Sequence, residues 1–151
     1  MAYEINHKML VFAGILVLLS GCATYASGPL FKEAPLPSND MGTLYVFRSK
    51  ASLGALVPTV KIDRRPFVKL TAMGYSYTYL SPGVYRLTFE NGNYQRFITE
   101  IEIKEGQELF IEYSEPFSTL REIPKSQVSD VVKNYRYVAP VSSWSNRGTN
   151  Q

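Results

Sequence analysis

The side chain best suited to chemistry in this sequence is its only cysteine, Cys22. It stands directly behind the apolar run Met9–Leu19 and two small residues, Ser20 and Gly21. The run is shorter than the roughly 20 residues that a helix needs to cross a bilayer, and it has the length of a signal-peptide core. Lys8 precedes it, as a cation does in such leaders. A buried, inert thiol behind an apolar helix is the alternative, and it explains the position of Cys22 poorly.

The four residues Leu19-Ser20-Gly21-Cys22 resemble a bacterial lipobox. The resemblance implies transfer of a diacylglyceryl group to the Cys22 sulfur, cleavage before Cys22 and acylation of the new amine. Residues 1–21 are then a lipoprotein signal peptide, and the membrane is a partner through the N-terminal lipid. Neither Ala23 nor Thr24 is Asp, which in similar lipoproteins implies sorting to the outer membrane, with the domain in the periplasm. Ordinary signal cleavage that releases a soluble product is the alternative.

The groups that remain after cleavage limit the chemistry of the mature chain. Cleavage before Cys22 leaves 130 of the 151 residues, which suits one domain. The only histidine, His7, leaves with the leader, and lipidation occupies the only thiol. This excludes Ser-His-Asp and Cys-His catalysis and the usual zinc ligands, so we expect a protein that is not an enzyme and has no metal site and no cofactor. The formal net charge of +3 is too small to indicate nucleic-acid binding.

Positive charge gathers in one part of the chain. The stretch 48–69 has a net charge of +5, and the stretch 90–122 has a net charge of −5. One interpretation is that a basic hairpin meets anionic headgroups, lipopolysaccharide phosphate or an acidic envelope protein. The other is that two solvated strand faces attract each other within the fold. On the first interpretation we expect the hairpin tip to be exposed and to face an anionic surface through four cations, Lys61, Arg64, Arg65 and Lys69.

A row of tyrosines is the second candidate binding site. Tyr75, Tyr77 and Tyr79 lie on one side of a strand with strict alternation. Such a row can stack on the sugar rings of peptidoglycan or lipopolysaccharide, or anchor a protein interface, because each tyrosine combines apolar area with a polar tip. Core packing with the hydroxyls reaching the rim is the alternative.

A pair of carboxylates gives a third hypothesis. Glu100 and Glu102 share a strand face and lie about 7 Å apart, within the range of a glycosidase pair. A carboxylate-dependent hydrolase is therefore a further alternative. A solvated strand face is the simpler interpretation, because the sequence shows no sign of a cleft there.

Alternating apolar and polar residues dominate the chain from residue 42 to residue 113. They predict seven strands, with an eighth at Thr119–Ile123. Both sides of Gly42–Arg48 are apolar, so we place that strand in the centre of a sheet, and Pro66 places its own strand at an edge. The same alternation turns Glu112 outward. Turns are predicted at Asp63-Arg64, Ser81-Pro82-Gly83, Asn91-Gly92 and Glu105-Gly106.

The segments on either side of the strands have a different character. Residues 22–41 carry three prolines and no strand or helix period, which predicts a flexible tether, unless Leu30–Phe31 packs on the domain. The domain itself is predicted over residues 42–138. It ends in a short helix, capped by Ser126 and running through Asn134, whose apolar face should cover a sheet edge or the open end of the fold. Residues 139–151 are expected to be disordered, except around Trp144.

The spacing of turns and strands predicts an all-β fold, an antiparallel β-sandwich of seven to eight strands with a short C-terminal helix. The residues Leu44-Tyr45-Val46-Phe47-Arg48, the hairpin over Val60–Leu70 and the turn Leu80-Ser81-Pro82-Gly83-Val84-Tyr85 occur in this order. They resemble the bacterial lipoproteins of the domain of unknown function 2846 family, which are similar to PEGA-like β-sandwich modules. The resemblance implies a fold and a cellular address, and it brings no catalytic residues. We therefore expect a non-catalytic binding or scaffolding module.

Overall fold

Two β-sheets packed face to face form the centre of the molecule. The computed structural model describes residues 25–37, 40–51, 55–92, 95–115 and 119–145. The elements are β1 (Gly42–Arg48), β2 (Thr59–Ile62), β3 (Arg65–Lys69), β4 (Gly74–Leu80), β5 (Gly83–Asn91), β6 (Gln95–Ile103), β7 (Glu108–Ser114), β8 (Thr119–Glu122), α1 (Lys125–Val132) and β9 (Arg136–Tyr137).

The strand order confirms the predicted all-β sandwich with a short C-terminal helix. One sheet has the order β8-β7-β1-β4-β9 and the other the order β3-β2-β5-β6. Most neighbours are antiparallel, as predicted, but β1 pairs with β7 in parallel and so does β4 with β9. The second of these pairs follows from α1, because a helical crossover returns the chain in the direction that a parallel pair requires.

Strand β1 lies in the middle of the five-stranded sheet, and all seven of its residues are buried. Leu44 and Val46 point to the four-stranded sheet and belong to the core between the sheets. Tyr45 and Phe47 point the other way, into a second core on the outer face of the five-stranded sheet. The predicted central position is confirmed, and the molecule has three layers rather than two.

Helix α1 covers that outer face, and not a sheet edge or the open end of the sandwich as expected. Val128 and Val132 are its buried residues. Pro124 occupies the N-cap position and no side chain caps the helix, so the prediction that Ser126 caps it is wrong. The proline sets the start of the helix, which leaves Ser126 inside the first turn. The helix also ends before Asn134, because the Tyr135 N–H donates to the Val132 carbonyl at 2.9 Å and closes the last turn.

The N-terminal segment completes the outer layer. The Ala26 N–H donates to the Ala72 carbonyl (3.0 Å), and the Phe31 N–H donates to the Tyr135 carbonyl (2.8 Å). The Phe31 ring meets Tyr75 edge-on, with 5.0 Å between centroids. The flexible tether predicted for residues 22–41 is therefore wrong over residues 25–37. Of the two residues whose packing the sequence suggested, Phe31 packs on the domain, whereas Leu30 is 52% exposed. A segment without strand or helix period is held here by backbone hydrogen bonds and one aromatic side chain.

The C-terminal segment is ordered further than expected. Residues 139–145 run back over the edge of the sandwich, where the Val141 N–H donates to the Phe67 carbonyl (2.8 Å). The Trp144 ring lies 5.0 Å from Phe67, and its indole N–H donates to the Thr78 hydroxyl (3.0 Å). The exception predicted around Trp144 is therefore found. The disorder predicted for the rest of residues 139–151 is wrong at Val141, and residues 146–151 lie outside the described residues.

The hairpin between β2 and β3 has the predicted turn at Asp63-Arg64. Ile62 pairs with Arg65, so the loop contains two residues, and both have positive φ, 47° for Asp63 and 69° for Arg64. Such values suit the twist of a two-residue hairpin, but they are costly for a residue with a side chain. The Asp63 carboxylate offsets part of that cost, since it accepts the Arg86 N–H at 2.9 Å. Strand β3 is an edge strand, as Pro66 predicted.

Candidate functional site

The tyrosine row of β4 lies on the outer face of the five-stranded sheet, under the N-terminal segment. Tyr75 is buried, and Tyr77 and Tyr79 are half-buried. Alternation along β4 puts the three on one face, and the pairing of β4 with β1 and β9 adds Tyr45 and Tyr137 beside them. The Tyr77 ring lies within 6 Å of three rings, those of Tyr45, Tyr79 and Tyr137.

Three hydroxyls of this cluster bind the backbone of the N-terminal segment. The Tyr45 hydroxyl accepts the Ala34 N–H at 2.9 Å, and the Tyr75 hydroxyl accepts the Lys32 N–H at 3.2 Å. The Tyr79 hydroxyl donates to the Pro35 carbonyl at 2.7 Å. Alternation along β4 and the pairing of β4 with β1 therefore place these hydroxyls on one face. The N-terminal segment of the same chain occupies that face.

Burial makes these phenols harder to ionise. Desolvation is the main cause that raises the pKa of Tyr45, Tyr75, Tyr79 and Tyr137 above the usual value for tyrosine. Beside Tyr45, the Glu108 carboxylate raises that pKa further, while the hydrogen bond from Ala34 acts in the opposite direction. A neutral phenol both donates and accepts, which is what the contacts with the N-terminal segment require.

A cleft of 550 Å³ remains between the N-terminal segment and the tyrosines. Its volume is in the range of small-molecule pockets, which extends over roughly 300–1,000 Å³. Within the described residues, the Tyr77 hydroxyl has no hydrogen-bond partner, so its polar tip is available to a ligand. The lining is mostly apolar and comprises Pro29, Leu30, Lys32, Glu33, Ala34, Pro35, Tyr75, Tyr77 and Tyr137.

The structure does not bring the four predicted cations into one site. Lys61 forms an ion pair with Glu90, and the Arg65 guanidinium lies over the Trp144 ring, 5.4 Å from its centroid. Arg64 is exposed at the turn. Lys69 is exposed at the other end of β3, about 13 Å from Arg65 along the strand. The hairpin therefore does not present the four cations together to an anionic surface.

Glu100 and Glu102 line a cleft that was not predicted from the sequence. The cleft has a volume of 370 Å³ and lies between β6 and β8, the free edges of the two sheets. Glu122 lies on its far side. All three carboxylates are exposed to solvent, and Glu102 contacts Lys104 at 3.5 Å. A general acid needs surroundings that disfavour its charge, and exposed carboxylates do not have them.

One buried carboxylate was missed by the sequence argument. Glu112 was predicted to face outward into solvent, yet it is 3% exposed. It accepts the Tyr135 hydroxyl and the Arg121 Nε–H, each at 2.6 Å. Alternation placed Glu112 correctly on the face opposite Leu109. The sequence of β7 does not indicate that α1 packs over the face that carries Glu112. Burial, followed by the Glu112 carboxylate, raises the pKa of Tyr135.

Arg48 forms a second buried polar group, at the end of β1. It is 1% exposed, and its Nη2 lies 2.7 Å from Glu115 Oε1. Its guanidinium also donates to the carbonyls of Leu56 (2.9 Å) and Leu70 (3.1 Å). These bonds tie the connections around β2 and β3 to the central strand, which is a structural role.

Cys22, the predicted lipidation residue, lies outside the described residues. In the part of the chain that the structure describes, no helix combines the length and apolar character needed to cross a membrane. No group of His, Cys, Asp or Glu there is arranged to hold a metal ion. No family model matches the chain, and no curated protein matches it either.

Proposed function

We propose that this chain is an outer-membrane lipoprotein, anchored through acylated Cys22, whose β-sandwich is a non-catalytic binding or scaffolding module in the periplasm. The sequence Leu19-Ser20-Gly21-Cys22 behind a short apolar run supports the anchor. One diacylglyceryl group and one amide-linked chain together meet the two-signal requirement for stable membrane attachment.

The placement of Tyr25 is the observation that carries the proposal furthest. Tyr25 pairs with Ala72, and the Ala26 N–H donates to the same residue, so the chain is fixed on the sandwich from this point on. Tyr25 is the third residue after Cys22, so the chain between their Cα atoms spans at most about 11 Å. The sandwich is thus held at the membrane surface rather than at the end of a long tether. This suits a module that works beside the membrane.

Membership of the domain of unknown function 2846 family is part of the proposal. Its support is that the residues of the resemblance occupy β1, the β2–β3 hairpin and the turn between β4 and β5, all in one sandwich.

Binding of an envelope glycan is the second candidate function. The cleft beside Tyr77 favours it, because an aromatic face and a phenol that has no hydrogen-bond partner among the described residues can together hold a sugar ring. The hydrolase alternative rests on the cleft that Glu100 and Glu102 share, and the exposure of both carboxylates speaks against it.

The anchor is tested by labelling cells with a radioactive fatty acid and separating inner from outer membranes on a density gradient. The wild-type chain should carry the label and migrate with the outer membrane, whereas Cys22→Ala should carry no label. His7→Ala, a change within the same leader, is the matched control and should be labelled normally. Labelling of the Cys22→Ala chain at the wild-type level would contradict the proposal.

The binding function is tested by co-sedimentation with peptidoglycan sacculi and with lipopolysaccharide. Tyr77→Leu removes the aromatic face and keeps apolar volume, so it should abolish binding if the tyrosine cleft holds the glycan. Val84→Ala, at an exposed position of the other sheet, is the control. If the wild-type chain sediments with neither material, the glycan candidate is wrong, and crosslinking in intact envelopes should then recover a protein partner.

A further inference from the structure

One end of the sandwich carries the N-terminal attachment, and we call it the anchor end. It is defined by three stretches, residues 49–51, residues 69–74 and Tyr25. Strand β1 ends here and β4 begins here, since Arg48 pairs with Gly74. The Met73 N–H donates to the Ser49 carbonyl (3.3 Å), and Ala72 receives the N-terminal segment.

The Asp63-Arg64 turn lies at the opposite end. Strand β3 runs from the turn toward the anchor end, where the Leu70 N–H donates to the Pro58 carbonyl. The turn itself contacts the start of β5, through the Asp63 carboxylate and the Arg86 N–H. A seven-residue strand such as β1 covers about 23 Å. This is twice the greatest length of the link from Cys22 to Tyr25, so a sandwich standing on its anchor end holds the hairpin tip away from the membrane.

The anchor end is rich in exposed positive charge. Lys50 follows β1, Lys69 ends β3, and Lys133 follows α1, and all three are exposed. Lys133 belongs to this end because the Arg136 N–H, three residues later, donates to the Met73 carbonyl. Among the described residues, none of the three lysines forms an ion pair.

Two acidic side chains near the anchor end, those of Glu115 and Glu90, already form ion pairs. Glu115 is paired with Arg48 and is 7% exposed, and Glu90 is paired with Lys61. Asp130 is exposed on α1, about one turn before Lys133. The anchor end is therefore positive overall, whereas the carboxylates of β6 lie on the edge of the other sheet.

Two exposed apolar side chains accompany the lysines. Tyr25 is 53% exposed, and Leu56, whose carbonyl accepts from Arg48, is 58% exposed. An aromatic residue and an aliphatic one beside lysines are typical of a surface that meets the headgroup region of a bilayer.

We infer that the anchor end rests on the anionic phospholipid headgroups of the leaflet that holds the acyl chains of Cys22. Lys50, Lys69 and Lys133 bind headgroup phosphates, and Tyr25 and Leu56 enter the interface. The basic hairpin tip then faces away from that leaflet, contrary to the expectation from sequence. The inference rests on the proposed acylation of Cys22, which fixes the side from which the membrane approaches.

The test uses the full-length chain, purified from membranes after its own processing. Acylation converts the Cys22 thiol to a thioether, so one introduced cysteine is then the only thiol that a fluorophore can label. Lys50→Cys and Lys133→Cys report on the anchor end, and each of these two chains keeps two of the three lysines that bind headgroup phosphates. Arg64→Cys and Glu105→Cys, both exposed, report on the opposite end. Each labelled protein is placed in phosphatidylglycerol vesicles that contain a lipid with a spin-labelled headgroup, which quenches fluorophores at the surface.

We expect strong quenching at positions 50 and 133 and little at positions 64 and 105. Adding Lys69→Gln to the Lys50→Cys chain should lower the docking equilibrium constant about fivefold, since each lysine near an anionic surface contributes about that factor. Salt at about 1 M, where the Debye length falls to about 3 Å, should reduce the quenching as well.

The mass of each purified protein distinguishes a failure of the proposed orientation from a failure of the proposed acylation. If the acyl groups are present but positions 64 and 105 are quenched as strongly as positions 50 and 133, the orientation is overturned and the proposed anchor stands. If the mass shows no acyl groups, the proposed anchor falls and the orientation falls with it.

Discussion

Replacing Phe31 by alanine tests whether the N-terminal segment is part of the fold. Phe31 contacts Tyr45, Phe47 and Tyr75 with centroid distances of 6.2, 5.8 and 5.0 Å. Full burial of a phenylalanine contributes about 1.5–3 kcal/mol, and an aromatic pair adds about 0.5–1.5 kcal/mol. Phe31 is partly buried, so we expect Phe31→Ala to lower the free energy of unfolding by about 2 kcal/mol, allowing for incomplete burial.

The assay is thermal unfolding followed by circular dichroism, on a chain that begins at Ala23. At about 3–5 °C per kcal/mol for a domain of this size, the melting temperature should fall by roughly 6–10 °C. Leu36→Ala is the matched control in the same segment, because Leu36 is 90% exposed, and it should change stability by less than about 0.5 kcal/mol. Equal melting temperatures for the two variants would show that the N-terminal segment does not stabilise the fold, as expected of a flexible tether.

Three further outcomes follow from the buried and strained groups. Glu112→Gln should lower the free energy of unfolding by about 1.5–3 kcal/mol in urea titration, because Tyr135 and Arg121 lose their charged acceptor. Glu102→Gln, at an exposed site, should have almost no effect. Arg64→Gly should raise stability by up to about 1 kcal/mol, since glycine removes the strain of a φ of 69°, and an unchanged or lower stability would contradict this account of the turn. The pKa of Tyr135 is raised in the folded chain, so the unfolded chain ionises first as pH rises above 10. The contribution of the neutral Tyr135 hydroxyl to the free energy of unfolding is therefore complete below pH 10 and is lost as pH rises above that value. Tyr135→Phe should therefore flatten the alkaline side of the stability profile, and an equally steep profile would show that other groups cause the decline.

The alternation of residues was sufficient to predict most strands and the sandwich. The apolar residues on both faces of β1 placed it in the centre, and Pro66 placed β3 at an edge, because those conclusions need only the residues of the strand itself. Two-residue strand β9 is too short to show a period, and its parallel pairing with β4 depends on where α1 delivers the chain.

The outer layer could not be predicted in the same way. Glu112 and the tyrosine row were assigned to the correct faces, but whether a face meets solvent depends on what packs over it. Here Tyr135, which follows α1, contacts Glu112, and the segment containing Phe31 covers Tyr75. The latter contact is made largely through backbone groups of residues 32–35, which leave no pattern in the sequence.

The candidate clefts show the same limit. The Glu100–Glu102 pair was found from its spacing, yet the cleft that it lines is formed by edges of two different sheets, and their approach is a property of the tertiary fold. Likewise the positive anchor end collects lysines from three separated stretches, so a count of charge along the chain pointed to the β2–β3 hairpin instead.

Membrane attachment through Cys22 is the central claim, and the intact mass of the protein purified from membranes tests it most directly. We expect a chain of 130 residues that begins at Cys22 and is heavier than its sequence by one diacylglyceryl group and one amide-linked fatty acid. A mature chain that begins elsewhere, or one that begins at Cys22 with the mass of the unmodified sequence, would contradict the claim.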